Sequence, residues 1–135
     1  MLEIIMDSGT SQCKNDIDNS LTYAGMISIS ENYIDVLVQN GKLKNSSEST
    51  YKYSINYFVE WLSDKNNDSV LDSVNMYTRN DIIDFINCKY KSGKSSNCLR
   101  TQVSILYCLN RALKVEGYNV PNIAGLSLDE ILKDS

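Results

Sequence analysis

Between Phe85 and Val115 the chain carries six basic residues, Lys89, Lys91, Lys94, Arg100, Arg111 and Lys114, and no acid. A run of one sign over that length suits phosphate, because a local field matters more to a polyanion than the summed charge of the molecule. The competing reading is an ordinary solvated face. The summed charge is −4, which by itself argues against nucleic acid. Its distribution does not. Residues 1–35 hold Glu3, Asp7, Asp16, Asp18, Glu31 and Asp35 against Lys14 alone, a net −5, and the remainder carries +1.

Other chemistries find little support. There is no histidine, and the cysteines (Cys13, Cys88, Cys98, Cys108) form no C-x-x-C pair. A zinc site is therefore not expected, and reduced thiols in a cytosol are the simpler reading. None of the nine tyrosines sits in a sequence context that would activate it as a nucleophile. No cofactor and no small-molecule ligand are expected. No run of eighteen apolar residues exists, and the N-terminus lacks the basic and apolar regions of a signal peptide. A cytoplasmic protein without a membrane span is expected.

The elements that must position the basic residues are helical. The apolar fraction is 42%, enough for one modest core in 135 residues, and strand-like alternation is nearly absent. Residues 1–27 read as a loose acidic tail, with a possible short element at Leu2–Met6. A first helix is expected from Ser30, as N-cap, to Asn40–Gly41, with Ile34, Leu37 and Val38 inward. A second is expected behind an Asn45/Glu48 capping signal. It packs five aromatics into Ser46–Asp64. At 100° per residue Tyr51, Ile55, Phe58 and Leu62 share one stripe flanked by Val59 and Trp61, while Ser49, Tyr53, Asn56 and Glu60 lie opposite. Thr78 and Asp81 form a capping box for a third helix to about Tyr90, with Ile82, Ile83 and Ile86 inward. "KSGKSS" is a basic turn. Ser95 or Ser96 caps a fourth helix that runs to Glu116 and stops at Gly117. Leu99, Val103, Leu106, Leu109 and Leu113 are its core stripe, with Asn110 intruding. Arg100, Ser104, Tyr107, Arg111 and Lys114 form a polar and basic seam beside it. Ile105, Cys108 and Ala112, beside Thr101, make a third, packing side that suits the first helix. Residues 119–135 read as a linker and a short helix from Ser127.

These residues resemble a family. The run Ser47, Tyr51, Ile55, Phe58, Trp61-Leu62 is similar to the second helix of the core-binding domain of tyrosine recombinases of the phage-integrase kind. "TRNDIIDFINCKYKSG" resembles that family's third helix, and "SSNCLRTQVSILYCLNRALKVEGY", with Ser104 at its serine, resembles the fourth. "ISENYIDVLVQNGKLKNSS" fits its first helix and loop. The resemblance covers about residues 28–118, and no single motif in it is diagnostic. It implies an all-α, SAM-like bundle of four main helices plus a short C-terminal helix, forming half of a clamp on double-stranded DNA. It implies DNA contact by Lys42, Lys44 and Lys52 on one side and by Lys91, Lys94 and Arg100 on the other. Ser95, Ser96 and Asn97 would offer phosphate donors, and Arg100, Thr101 and Ser104 would reach toward base edges. Ser49, Tyr53 and Asn56 would present the outer face of the second helix, with Tyr57 beside it.

The departures are as informative. The family's chemistry uses a tyrosine, arginines, a lysine and histidine in a separate C-terminal domain. Without histidine this chain has no H-x-x-R, so no catalysis is expected of it. Residues 1–27 are too short for the arm-binding domain that some integrases carry. A recombinase that continues past Ser135 and contacts other protomers through its helices is the expectation. The alternatives are a stand-alone DNA-binding regulator and a helical protein-interaction domain of the same fold.

Overall fold

A computed structural model describes residues 21–65, 73, 74 and 76–133 of the chain. The fold is an all-α bundle. Four long helices, α1 (Tyr23–Gln39), α2 (Asn45–Lys65), α3 (Arg79–Lys91) and α4 (Ser96–Val115), are followed by a short α5 (Leu128–Lys133). Two two-residue strands, β1 (Leu21–Thr22) and β2 (Ser73–Val74), pair antiparallel with Leu21 opposite Val74. The α1 helix packs chiefly on α2 and also on α4, and α3 lies against α4.

The locally encoded elements form as the sequence predicts. Thr78 Oγ1 accepts from the Asp81 N–H, and the Asp81 carboxylate accepts from the Thr78 N–H at 2.8 Å, closing the capping box of α3. Ser95 caps α4, accepting from the Cys98 N–H. The C-terminus of α4 closes at Gly117, whose φ of +105° is the left-handed conformation such a stop requires. The core stripe of α4 is buried throughout, and Asn110 intrudes with a purpose. Its Oδ1 accepts from the Tyr77 hydroxyl at 2.6 Å, and its Nδ2 donates to the Pro121 carbonyl.

Five expectations are corrected. The first helix starts at Tyr23 behind the N-cap Thr22, not at Ser30. Ser30 is fully buried within α1, where its hydroxyl donates to the Ile27 carbonyl at 2.9 Å. Residues 21–27 are therefore no tail: Leu21, Tyr23 and Met26 belong to the core. Residues 1–20, with the element expected at Leu2–Met6, lie outside the described residues. At the start of α2, Asn45 is already helical, and Glu48 accepts from Lys52 one turn on rather than serving a cap. Tyr51, expected in the core, is only half-buried. Finally, residues 119–133 pack on the bundle. Ile123, Leu126, Leu128 and Ile131 are core residues, and donors from Arg79, Tyr107 and Asn110 hold the carbonyls of residues 121–124 and of Leu126.

An aromatic cluster joins the helices. Phe58 is fully buried, with Phe85 (5.0 Å between centroids) and Tyr77 (5.6 Å) edge-on and Trp61 stacked at 6.1 Å. Lys65 ties the end of α2 to the start of α3 through Asp81 (2.7 Å) and Asp84 (2.9 Å). Phe58→Ala is expected to cost about 3–5 kcal/mol in a chemical-denaturation measurement, since it opens a cavity at this junction. Burial pushes the Asp81 carboxyl up, but the hydrogen bonds from Lys65 and Thr78 outweigh it and hold the group below its ordinary 3.8. A depressed carboxylate stabilises the fold above its unfolded value and stops doing so as pH falls through the folded one. Asp81→Asn is therefore expected to lower stability near neutrality by about 1 kcal/mol and to flatten the acid limb of a stability–pH profile.

Candidate nucleic-acid interface

The turn between α3 and α4 gathers the basic residues. Gly93 adopts φ +98°, which turns the chain so that the Lys94 N–H donates to the Lys89 carbonyl at 3.3 Å. A residue with a Cβ is strained in that conformation. The reversal brings Lys89, Lys91 and Lys94 to the N-terminus of α4, whose first turn holds no acid. The free N–H groups of that N-terminus and the exposed Lys91 and Lys94 lie at the same end of the bundle. Lys91, Lys94, Ser95, Ser96, Asn97, Arg100, Thr101 and Ser104 are all exposed there. Among the described residues no acid lies within salt-bridge distance of Lys89, Lys91 or Lys94. The Thr101 hydroxyl donates back to the Asn97 carbonyl at 3.0 Å, which leaves its oxygen able to accept.

Lys89 adds what the sequence did not reveal. Its Nζ sits 3.9 Å from the centroid of the Tyr57 ring and 5.5 Å from that of Phe85. Partial burial, and then the like charge of Lys94, push its pKa below the ordinary lysine value. Tyr57 in turn lies 6.3 Å from Tyr53, centroid to centroid. The outer aromatics of α2 and the basic turn are thus one continuous surface. The missing sequence signal is non-local, since Tyr57 and Lys89 meet only because Phe85 docks on Phe58.

The rest of the α2 face departs from expectation. The Lys52 ammonium is held by Asp35 at 2.7 Å and Glu48 at 2.8 Å, and the side chain is 26% exposed. Those hydrogen bonds raise its pKa above the ordinary lysine range. Asn56 Nδ2 donates to the Lys52 carbonyl at 3.0 Å and faces Glu31 at 3.4 Å. Lys52 and Asn56 therefore face the acids of α1 and are poor phosphate contacts, because an incoming phosphate would meet Glu31, Asp35 and Glu48. Lys42, Lys44 and Ser49 are exposed in the α1–α2 loop and the first turns of α2. Tyr53 is exposed as expected.

The seam along α4 is interrupted. Arg100 stands 3.9 Å from Asp129 in a loose pair whose side chains are 58% and 91% exposed, an arrangement that contributes little. Beyond it the Tyr107 hydroxyl is shared between the Ile123 (2.9 Å) and Leu126 (2.7 Å) carbonyls, so the 119–133 segment crosses the stripe and separates Arg100 from Arg111 and Lys114. On the third side Ile105, Cys108 and Ala112 are buried, and Ala112 meets Ile29, Tyr33 and Val36 of α1 in a shallow groove. Burial pushes the Cys108 thiol up, an effect only partly offset by Arg111. Among the described residues no cluster of His, Cys, Asp or Glu could hold a metal ion, and no helix is long and apolar enough to cross a membrane.

Comparison of the chain with protein-family models, with curated proteins and with solved structures finds no match.

A pairing already made inside the molecule is not available to a ligand. Lys52→Met is therefore expected to lower stability while leaving any affinity for DNA unchanged. The loss of stability is expected to shrink at alkaline pH, because a raised lysine stabilises the fold below its unfolded value and ceases to do so as pH climbs through the folded one. Denaturation at neutral and at alkaline pH, beside a DNA titration of the same variant, checks both halves.

Proposed function

We propose that this bundle binds double-stranded DNA through the α3–α4 turn and the first turns of α4, as a DNA-binding module of the tyrosine-recombinase core-binding kind. One observation carries the reading. The cations of α2 and of the start of α3 are engaged within the fold, Lys52 and Lys65 with carboxylates and Arg79 with the Asn122 and Ala124 carbonyls. Lys91 and Lys94, by contrast, are exposed at the α3–α4 turn beside the N-terminus of α4, with Lys89 close by on the Tyr57 ring, and no acid lies within salt-bridge distance of the three among the described residues. Crowded like charges are unfavourable in isolation, and a polyanion relieves them. The sequence resemblance to recombinase core-binding domains, in order and length of helices, supports the same face.

In this reading Lys91, Lys94, Ser95, Ser96 and Asn97 hold phosphates, and Arg100, Thr101 and Ser104 point toward a groove. A helix that enters a groove does so with one end, so contacts fade along it. Arg111 and Lys114 lie about 17–21 Å beyond Arg100 at ~1.5 Å per residue, on the far side of the 119–133 segment. Catalysis is not part of the proposal, since the chain offers no histidine to a recombinase site.

A second reading, a helical protein-interaction domain, is favoured by a different observation. Val36 and Val115 are 48% and 70% exposed beside the α1–α4 groove, an apolar surface unrelated to the basic turn.

Titration of the protein with duplex DNA at two salt concentrations is the test. Micromolar or weaker affinity that falls steeply with salt is expected. Lys94→Ala is expected to weaken binding to all sequences and lower the salt slope by about one. Arg100→Ala is expected to cost about 1–3 kcal/mol at a preferred site, and Arg111→Ala and Lys114→Ala less. Equal effects of the four substitutions would replace graded insertion with a diffuse patch. Salt-independent binding, or none, would leave the protein-interaction reading in its place.

A further inference from the structure

Tyr53 is 69% exposed on a helix whose other face buries Ile55, Phe58, Val59 and Leu62 completely or nearly so. A single exposed aromatic needs no explanation. This one ends a ladder that begins in the core. Phe58 meets Phe85 at 5.0 Å, Phe85 meets Tyr57 at 6.1 Å, and Tyr57 meets Tyr53 at 6.3 Å with the planes tilted by 58°. Tyr57 is therefore anchored, and the Lys89 ammonium lies over its ring. Tyr53 has no other ring contact among the described residues, and no cation lies over it. Most of its ring is therefore open to a flat partner at the edge of the basic surface.

We infer that Tyr53 is a stacking platform for an unpaired nucleobase, with Lys89 and the α3–α4 turn holding the phosphates beside it. The inference rests on the DNA reading above and narrows it. The preferred ligand becomes duplex DNA that carries a single-stranded segment. In an intact duplex the faces of the bases are covered by their neighbours, so Tyr53 can offer a duplex no more than its hydroxyl. An unpaired base presents a free face, and aromatic stacking accepts any base because all of them present one. Anchored Tyr57 limits the sway of Tyr53. The ammonium over Tyr57 places positive charge where the sugar–phosphate chain of a stacked nucleotide would run.

The test uses the full chain and two labelled DNAs of equal phosphate count. Each has the same duplex and a single-stranded tail, of thymidines in one and of base-free sugar phosphates in the other. In fluorescence-anisotropy titrations the thymidine tail is expected to bind about tenfold more tightly. Tyr53→Ala is expected to erase that difference without changing affinity for the base-free tail, and Tyr53→Phe, which keeps the ring, to preserve it. The melting temperature of Tyr53→Ala should equal that of the parent, since the ring is mostly in water. Equal, salt-sensitive binding of the two tails by the parent protein would overturn the stacking inference and leave the duplex reading standing. So would a Tyr53→Ala variant that weakens both tails alike. No binding of either DNA would overturn the inference and the DNA reading together.

Discussion

The position of Phe85 against Phe58 governs the rest of the molecule. That edge-to-face contact, 5.0 Å between centroids, fixes α3 on α2. Once it is made, Tyr77 at the entry to α3 reaches Asn110 on α4, and Asn110 reaches Pro121 in the C-terminal segment. At the other end of α3 the same contact sets Lys89 over Tyr57. One aromatic cluster thus holds the bundle closed at the α3 entry and assembles the basic surface at its exit. Aromatic pairs of this geometry add about 0.5–1.5 kcal/mol beyond the area they bury. Their greater effect here is directional, because they decide which side chains become neighbours.

Charge is sorted by the same packing. A sum of −4 conceals two unlike ends. Where α1 crosses α2, Glu31, Asp35 and Glu48 surround Lys52 and Asn56. Where α2 ends, Asp81 and Asp84 surround Lys65. Among the described residues no acid lies within salt-bridge distance of the lysines of the turn after α3, and Lys91 and Lys94 are exposed beside the N-terminus of α4. A ligand with many phosphates matches that end and is disfavoured at the α1–α2 crossing.

Local chemistry was legible in the sequence. The Thr78–Asp81 box, the Ser95 cap, the Gly117 stop and the leucine stripe of α4 each depend on residues within a few positions of one another, and each formed as expected. The start of α1 departs from the local signal for a related reason. Ser30 followed by Glu31 has the look of a cap. Thr22 outcompetes it because Tyr23, Met26, Ser30 and Ile34 form one buried face, and the small Ser30 hydroxyl is satisfied by Ile27. The C-terminal segment resembles a linker in sequence because its asparagines, proline and glycine are turn residues. Its attachment depends on which carbonyls Tyr107, Asn110 and Arg79 reach, and spacing does not encode that. Within the candidate site, the exposure of Arg100 and Ser104 was legible from helical phase. The neutralisation of Lys52 and the seating of Lys89 on Tyr57 were not, since each joins two helices.

The central claim is that the basic turn, and not the apolar α1–α4 groove, is the working face. Mapping of backbone amide shifts by NMR during titration with duplex DNA tests it most directly. The account predicts salt-sensitive shifts concentrated from Lys89 through Ser104 and around Tyr57, with Asp35, Glu48 and Lys52 little changed. Shifts centred on Ile29–Val36 and Val115, or spread evenly over the surface, would contradict it.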